Sequence, residues 1–256
     1  MLYLAQSSVR FRKIGWPLNR QPVCPITMKV PMTPFPVKPF SRLIEGVQKF
    51  HASGFKDNRA LFKQLATQQQ PKTLFICCAD SRVVPELMTQ TDPGELFLCR
   101  NIGNVVPAYG EMMGGVSAVV EYACMALEVT DVVVCGHSDC GAMKALLDPN
   151  DPLLQKMPTV ASWLRNAAAA RSVVEATLPE LEGADKVAAL VVQNVRTQLG
   201  HLRTHPAVAS RLATQQLTLH GWVYDIESGD VRAVDEATGA LLPLYAAPDA
   251  LGVAAG

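Results

Sequence analysis

Two short apolar runs, residues 74–77 and 132–135, each lead directly into a cluster of chemically active side chains, and this pairing constrains the fold more than any other feature of the chain. A short, continuously apolar run reads as a strand buried on both faces, which is the habit of parallel α/β sheets. In such sheets the carboxyl ends of the strands carry the site. Past the first run stand Cys78, Asp80 and Arg82 in CADSR; past the second stand His137 and Cys140 in GHSDC.

Two thiolates and one neutral imidazole suit a borderline-soft, tetrahedral cation, and three protein ligands leave a coordination position open. A structural site would bring four Cys or His ligands in two close pairs, whereas here one cysteine joins a single His-x-x-Cys pair. Cysteine is also a common small core residue, and an isolated His-x-x-Cys arises by chance. It is the two clusters together that favour catalytic zinc.

The surrounding pattern predicts an α/β fold with a mostly parallel central sheet flanked by helices. Leu43, Ile44, Val47 and Phe50, then Leu61, Phe62 and Leu65, recur at helical spacing before the first strand. Strands over 73–78, 96–99 and 132–135 alternate with helices opened by Pro85 and Gly115, the second reaching to 129. Helices are expected over 159–177 and up to 199, with the β-branched run 187–192 read as a strand preceding the last of them. Residues 217–224 and 231–234, separated by Glu227, Ser228, Gly229 and Asp230, predict an edge hairpin. A basic, proline-containing extension (1–40), one α/β domain (41–246) and a tail (247–256) complete the organisation. The extension has the composition of a transit peptide, and an over-long start, with Met28 or Met32 as the true one, accounts for it equally.

Composition excludes several classes. The 23 basic and 23 acidic residues cancel, and no basic stripe interleaved with aromatics marks a nucleic-acid surface. Seven cysteines scattered through apolar segments do not form a disulfide framework, which points to a reducing compartment. No run approaches the roughly 20 apolar residues of a membrane span. The expected location is the cytoplasm, with an organelle as the alternative if the extension is a transit peptide.

CADSRV, RNIGNVVP (100–107) and CGHSDCGAMK (135–144) together resemble the signatures of β-class carbonic anhydrases, a likeness running from about residue 43 to 234. The resemblance implies zinc on Cys78, His137 and Cys140, and reversible hydration of carbon dioxide to bicarbonate and a proton by a zinc-bound hydroxide. It implies that Asp80 and Arg82 form an orienting pair, and that Gln69, Phe97, Ile102, Tyr122 and Gly141 line the substrate pocket, Gln69 from a partner subunit. Phe75 stands where a bicarbonate-inhibited subgroup carries tryptophan, so the open form is expected. A homodimer or larger homo-oligomer follows, because the helices before the first strand have no sheet of their own to cover. Two alternatives stay open: a related zinc hydrolase acting on carbonyl sulfide or carbon disulfide, and a carboxysome-associated assembly role. Ser138, Asp139 and Lys144 flank the site, and His201, His205 and His220 are read as structural or exposed.

Overall fold

The computed structural model describes residues 40–111 and 114–244. Nearly all of the predicted basic extension, and the tail from 247, lie outside the described residues. The chain divides into two compact units, Met1–Arg59 and Ala60–Gly256. In the first, α1 (Phe40–Lys49) runs into a π-helical turn, Phe50–Gly54, and then α2 (Phe55–Asp57). Phe40, Leu43 and Val47 are 70%, 64% and 67% exposed, so the apolar stripe of α1 faces outward.

After α3 (Arg59–Leu65) the second unit builds its sheet: β1 (Thr73–Cys78), α4 (Pro85–Thr89), β2 (Leu96–Asn101), α5 (Gly115–Met125) and β3 (Asp131–His137). Helices α6 (Gly141–Leu147), α7 (Pro152–Gln155), α8 (Pro158–Leu164), α9 (Ala168–Thr177), α10 (Gly183–Thr204) and α11 (Pro206–Ala213) follow. The chain then returns to the sheet with β4 (Thr218–Tyr224), β5 (Val231–Val234) and β6 (Leu241–Pro243). The strand order is β2-β1-β3-β4-β5-β6. The first four are parallel, and β5 and β6 are antiparallel additions at the edge. The predicted mostly parallel sheet and its edge hairpin are therefore present.

Alternation along β1 sorts its side chains between two cores. Leu74 and Ile76 pack with Val132, Val134, Leu199 and Leu202, while Phe75 and Cys77 face the other way with Val133 and Cys135. Phe75 meets the Trp222 ring edge-on at 5.8 Å. Cys77 is thus a core residue and its neighbour Cys78 belongs to a third cluster with Cys140 and Met143. The six described cysteines are all free and buried. Among the described residues no helix is long and apolar enough to cross a membrane.

Three expectations need correction. Residues 187–192 are not a strand: they lie inside α10, where Val187, Leu190, Val191, Val195, Leu199 and Leu202 form one buried stripe. A β-branched run and a helical stripe coincide locally, and burial against β3 and β4 selects the helix. The helix over 159–177 is broken by a 3-10 turn at Arg165–Ala167. Helix α5 ends at Met125, not 129, because the chain must turn into β3 and does so with Glu128 at φ 52°.

Helix α10 lies so close to the sheet that a methyl group does not fit beneath it. A Cβ on Gly136 would stand 2.9 Å from the Val191 side chain, and one on Gly221 2.9 Å from that of Val195. Gly221→Ala is accordingly expected to destabilise the fold by about 1–3 kcal/mol through overpacking. A urea midpoint equal to that of the parent would show that the helix moves off the sheet freely.

Candidate metal centre

β1 and β3 are adjacent and in register, Cys77 beside Cys135, so their carboxyl ends emerge side by side. Cys78 is the last residue of β1 and His137 the last of β3. Asp139, at φ 59°, then turns the chain so that Cys140 comes back before α6 begins. The three ligand atoms lie within 4.8 Å of one another, and the residues are 6%, 1% and 1% exposed.

The imidazole is set for ligation. His137 Nδ1 lies 2.8 Å from the Ser138 carbonyl oxygen, which can only accept, so Nδ1 carries the proton and Nε2 keeps its lone pair. Ser138 is itself fixed, its N–H donating to the Tyr224 carbonyl at 2.9 Å and its Oγ accepting from Ile226 N at 2.9 Å. His137 Nε2 is buried without a hydrogen-bond partner. A buried polar atom left in this state calls for an explanation, and a cation held between it and two sulfurs supplies one.

The sulfurs divide their protonation unequally. Hydrogen bonding from the Cys140 thiol, helped by the Gly103 amide at 3.4 Å, pulls the Cys78 pKa down against the cost of burial. The neighbouring Cys78 sulfur and burial push Cys140 up. Burial depresses the His137 pKa, and the Cys78 sulfur beside it outweighs that effect for a net rise. Binding a cation must displace these protons, so affinity falls with falling pH.

Asp80 lies just outside the ligand triangle, its Oδ2 4.0 Å from His137 Nε2. Arg82 grips it with a fork: Nε donates to Oδ1 at 3.0 Å and Nη2 to Oδ2 at 2.8 Å, with the Arg82 backbone N–H on Oδ1 at 2.9 Å. A bidentate pair of this kind fixes the carboxylate plane as well as its charge. The Arg82 guanidinium holds the Asp80 carboxyl well below the usual carboxylate range. Because the folded pKa is depressed, the stabilisation is complete above the unfolded value of about 3.9 and is lost only as pH falls through the folded one. Asp80 is therefore expected to remain an anion at every pH above about 4, a result that carboxyl-carbon NMR titration would check and a midpoint in the neutral range would refute.

Of the expected pocket residues, Phe97 and Tyr122 come together, ring centroids 5.9 Å apart and tilted by 37°. Tyr122 and Ile102 are 49% and 41% exposed, and the Ile102 carbonyl accepts from Trp163 Nε1 at 2.8 Å. Gly141 is the first residue of α6, next to Cys140. Gln69 is exposed on the segment joining α3 to β1. His201 and His205 bond to the carbonyls of Val106 and Pro107, and His220 to the Asp131 carboxylate. These are structural contacts, as the sequence suggested.

Two contributors, Arg100 and Gly103, were not legible as such, and Asp139, which the sequence placed only beside the site, takes a definite part. Arg100 reaches across from β2, Nη2 donating to the Asp80 carbonyl at 2.7 Å and Nε to the Cys78 carbonyl at 3.3 Å. Gly103 supplies the amide on the Cys78 sulfur. Asp139 accepts from Arg82 Nη1 at 3.2 Å and pairs with Lys144. The RNIGNVVP run was the only signal for the first two, and nothing in it distinguishes a residue that braces the site from one that turns the chain.

Residues 73–231 match the family profile described as "Carbonic anhydrase". The chain is 54% identical over 206 residues to "Carbonic anhydrase 1" of Escherichia coli O157:H7, covering 80% of this chain and 93% of that protein. It is 52% identical over 211 residues to the carbonic anhydrase of Pseudomonas aeruginosa, covering 82% and 94%. The solved structure of the β-carbonic anhydrase CcaA superposes with a TM-score of 0.78 at 47% identity, covering 81% of this chain and 92% of that one. The chain belongs to the β-carbonic anhydrase family. The β-carbonic anhydrase profile begins at the first residue of β1 and ends in β5, so it contains both strands that carry the ligand triangle.

Proposed function

We propose that this chain catalyses CO₂ + H₂O ⇌ HCO₃⁻ + H⁺ with zinc as its metal, held by Cys78, His137 and Cys140. The observation that carries the reading is the convergence of three buried ligand atoms within 4.8 Å beside a carboxylate clamped by an arginine fork. Zinc bound there would supply the Lewis acidity that lets a water molecule lose a proton near neutral pH.

The chain's own residues do the rest. Asp80, kept anionic by Arg82, can only accept a hydrogen bond, so it orients an attacking O–H and leaves an oxygen lone pair free to face the carbon. The Arg82 fork prevents the carboxylate from turning toward His137 Nε2. Carbon dioxide is apolar and linear, and the Phe97 and Tyr122 rings with Ile102 offer it dispersion contacts, while the Gly141 amide and the partner subunit's Gln69 are the proposed donors to an oxygen. The proton leaves to solvent.

The test is a stopped-flow hydration assay on protein of known zinc content. Activity proportional to bound zinc is expected, and zinc-replete protein unable to hydrate carbon dioxide would overturn the assignment.

The working form proposed is a homo-oligomer. Support comes from the exposed apolar stripe of α1 and from a structural relative described as tetrameric, from Sordaria macrospora, 26% identical with a TM-score of 0.69 over 76% of this chain. Sedimentation is expected to give a dimer or larger, and Val47→Asp to shift the distribution toward monomer. The proposed compartment is the cytoplasm, in keeping with the cysteines among the described residues, all six of them free and buried.

A further inference from the structure

Helix α10 carries two polar side chains on its otherwise apolar buried face: Asn194 and Gln198, 1% and 0% exposed. One turn apart, they are bonded to each other, Gln198 Nε2 donating to Asn194 Oδ1 at 2.8 Å. Their remaining groups are spent on the backbone of the loop that follows β2. Asn194 Nδ2 donates to the Gly103 carbonyl at 2.9 Å, and Gln198 Oε1 accepts from Val106 N at 2.8 Å. From the other side the Asn101 carboxamide clasps both the N–H and the carbonyl of Val105.

This loop needs external support. Gly103 and Asn104 stand consecutively at φ 80° and 48°, a left-handed pair that cannot propagate as regular structure. A Cβ at Gly103 would lie 2.9 Å from that of Ala142, so the loop is also pressed onto α6. What it delivers is one N–H, from Gly103 to the Cys78 sulfur at 3.4 Å.

We infer that Asn194 and Gln198 are positioning residues for the metal centre, acting through the Gly103 amide on the Cys78 sulfur. An N–H aimed at a thiolate draws charge from it and makes it a weaker donor. That matters where two thiolates already neutralise a divalent cation, because the metal keeps Lewis acidity only as far as its ligands withhold charge. The two amides lie on a helix that carries none of the ligands, yet they set the angle at which this hydrogen bond is made. The inference rests on Cys78 being a metal ligand.

The variants are Asn194→Leu and Gln198→Met, compared with Leu202→Ala, which removes core packing from the same helix without removing a hydrogen bond to the loop. Each is measured for melting temperature, for zinc affinity by competition with a chelator, and, after cobalt replacement, for the sulfur-to-cobalt charge-transfer band. The expected result is a band moved to lower energy, because the freed sulfur donates more charge, together with zinc affinity on the order of 10-fold weaker in both polar-residue variants, because the loop no longer holds that sulfur in place for the metal. Leu202→Ala should lower the melting temperature and leave affinity and band unchanged. Equal effects from all three, or an unmoved band and affinity in the first two, would overturn the inference. If Asn194→Leu does not fold, Gln198→Met decides alone. If neither folds, hydrogen exchange of the Gly103 amide in the metal-loaded parent decides: exchange as fast as in an open loop refutes the bond. A parent that takes up no zinc or cobalt would instead bring down the reading of Cys78 as a ligand, and that outcome is distinct from a parent that binds normally beside unaffected variants.

Discussion

Cys78→Ser, His137→Ala and Cys140→Ser are each expected to abolish zinc binding and to reduce hydration to the uncatalysed background. Residues that merely brace a ligand typically cost roughly 10–100-fold in metal affinity or activity, so removing a ligand should exceed that range. Serine replaces a soft sulfur by a hard, protonated oxygen in a site whose selectivity rests on softness. His137→Ala removes the ligand nitrogen outright. The measurement is elemental analysis alongside the assay, with circular dichroism to show that the sheet is intact. A folded His137→Ala protein that retains both metal and turnover would end the assignment.

Asp80→Asn is the second large effect, and it separates chemistry from metal retention. The carboxamide is nearly isosteric, and Asp80 is not part of the ligand triangle, so zinc content should stay at the parent level. Turnover should fall by about 10–100-fold, the scale of a lost outer-shell partner. The carboxylate accepts on both oxygens from Arg82 with nothing to donate, whereas the amide nitrogen would point N–H groups at the guanidinium. The fork would be broken and an O–H donor would lose the anionic acceptor that Asp80 offers. Parent-level turnover in zinc-replete Asp80→Asn would show that orientation by this carboxylate contributes nothing. Arg82→Lys should produce a milder form of the same loss, because an ammonium cannot hold both oxygens in one plane.

Much of the site is legible in the chain itself. Donor chemistry and spacing single out Cys78, His137 and Cys140, and the structure brings these three together. The choice of Cys78 over Cys77 comes from the resemblance, and strand alternation then sends Cys77 to the opposite side of β1, where the structure has it. The Asp80 and Arg82 pairing follows from proximity in sequence. The parallel sheet and the β4–β5 hairpin follow from apolar runs and turn residues. Where the reading failed, at 187–192, a β-branched run fits either a buried strand or a helix stripe, and only the partner surface distinguishes them. The brace formed by Arg100, Gly103, Asn194 and Gln198 was invisible for a related reason. An Asn and a Gln one turn apart look like an ordinary polar patch until something is found to cover them.

Local chemistry is written in the chain: which atoms can ligate, which strands are buried on both faces, where turns must fall. These depend on residue type and short spacing, and neighbours in sequence carry both. The tertiary structure alone decided that β1 and β3 lie side by side in register, which brings Cys78 to His137, and that α10 presses onto the loop holding Gly103. Contacts between residues about 60 or 90 positions apart are set by packing of whole elements, because burial rewards a surface as a unit and no single residue specifies its distant partner.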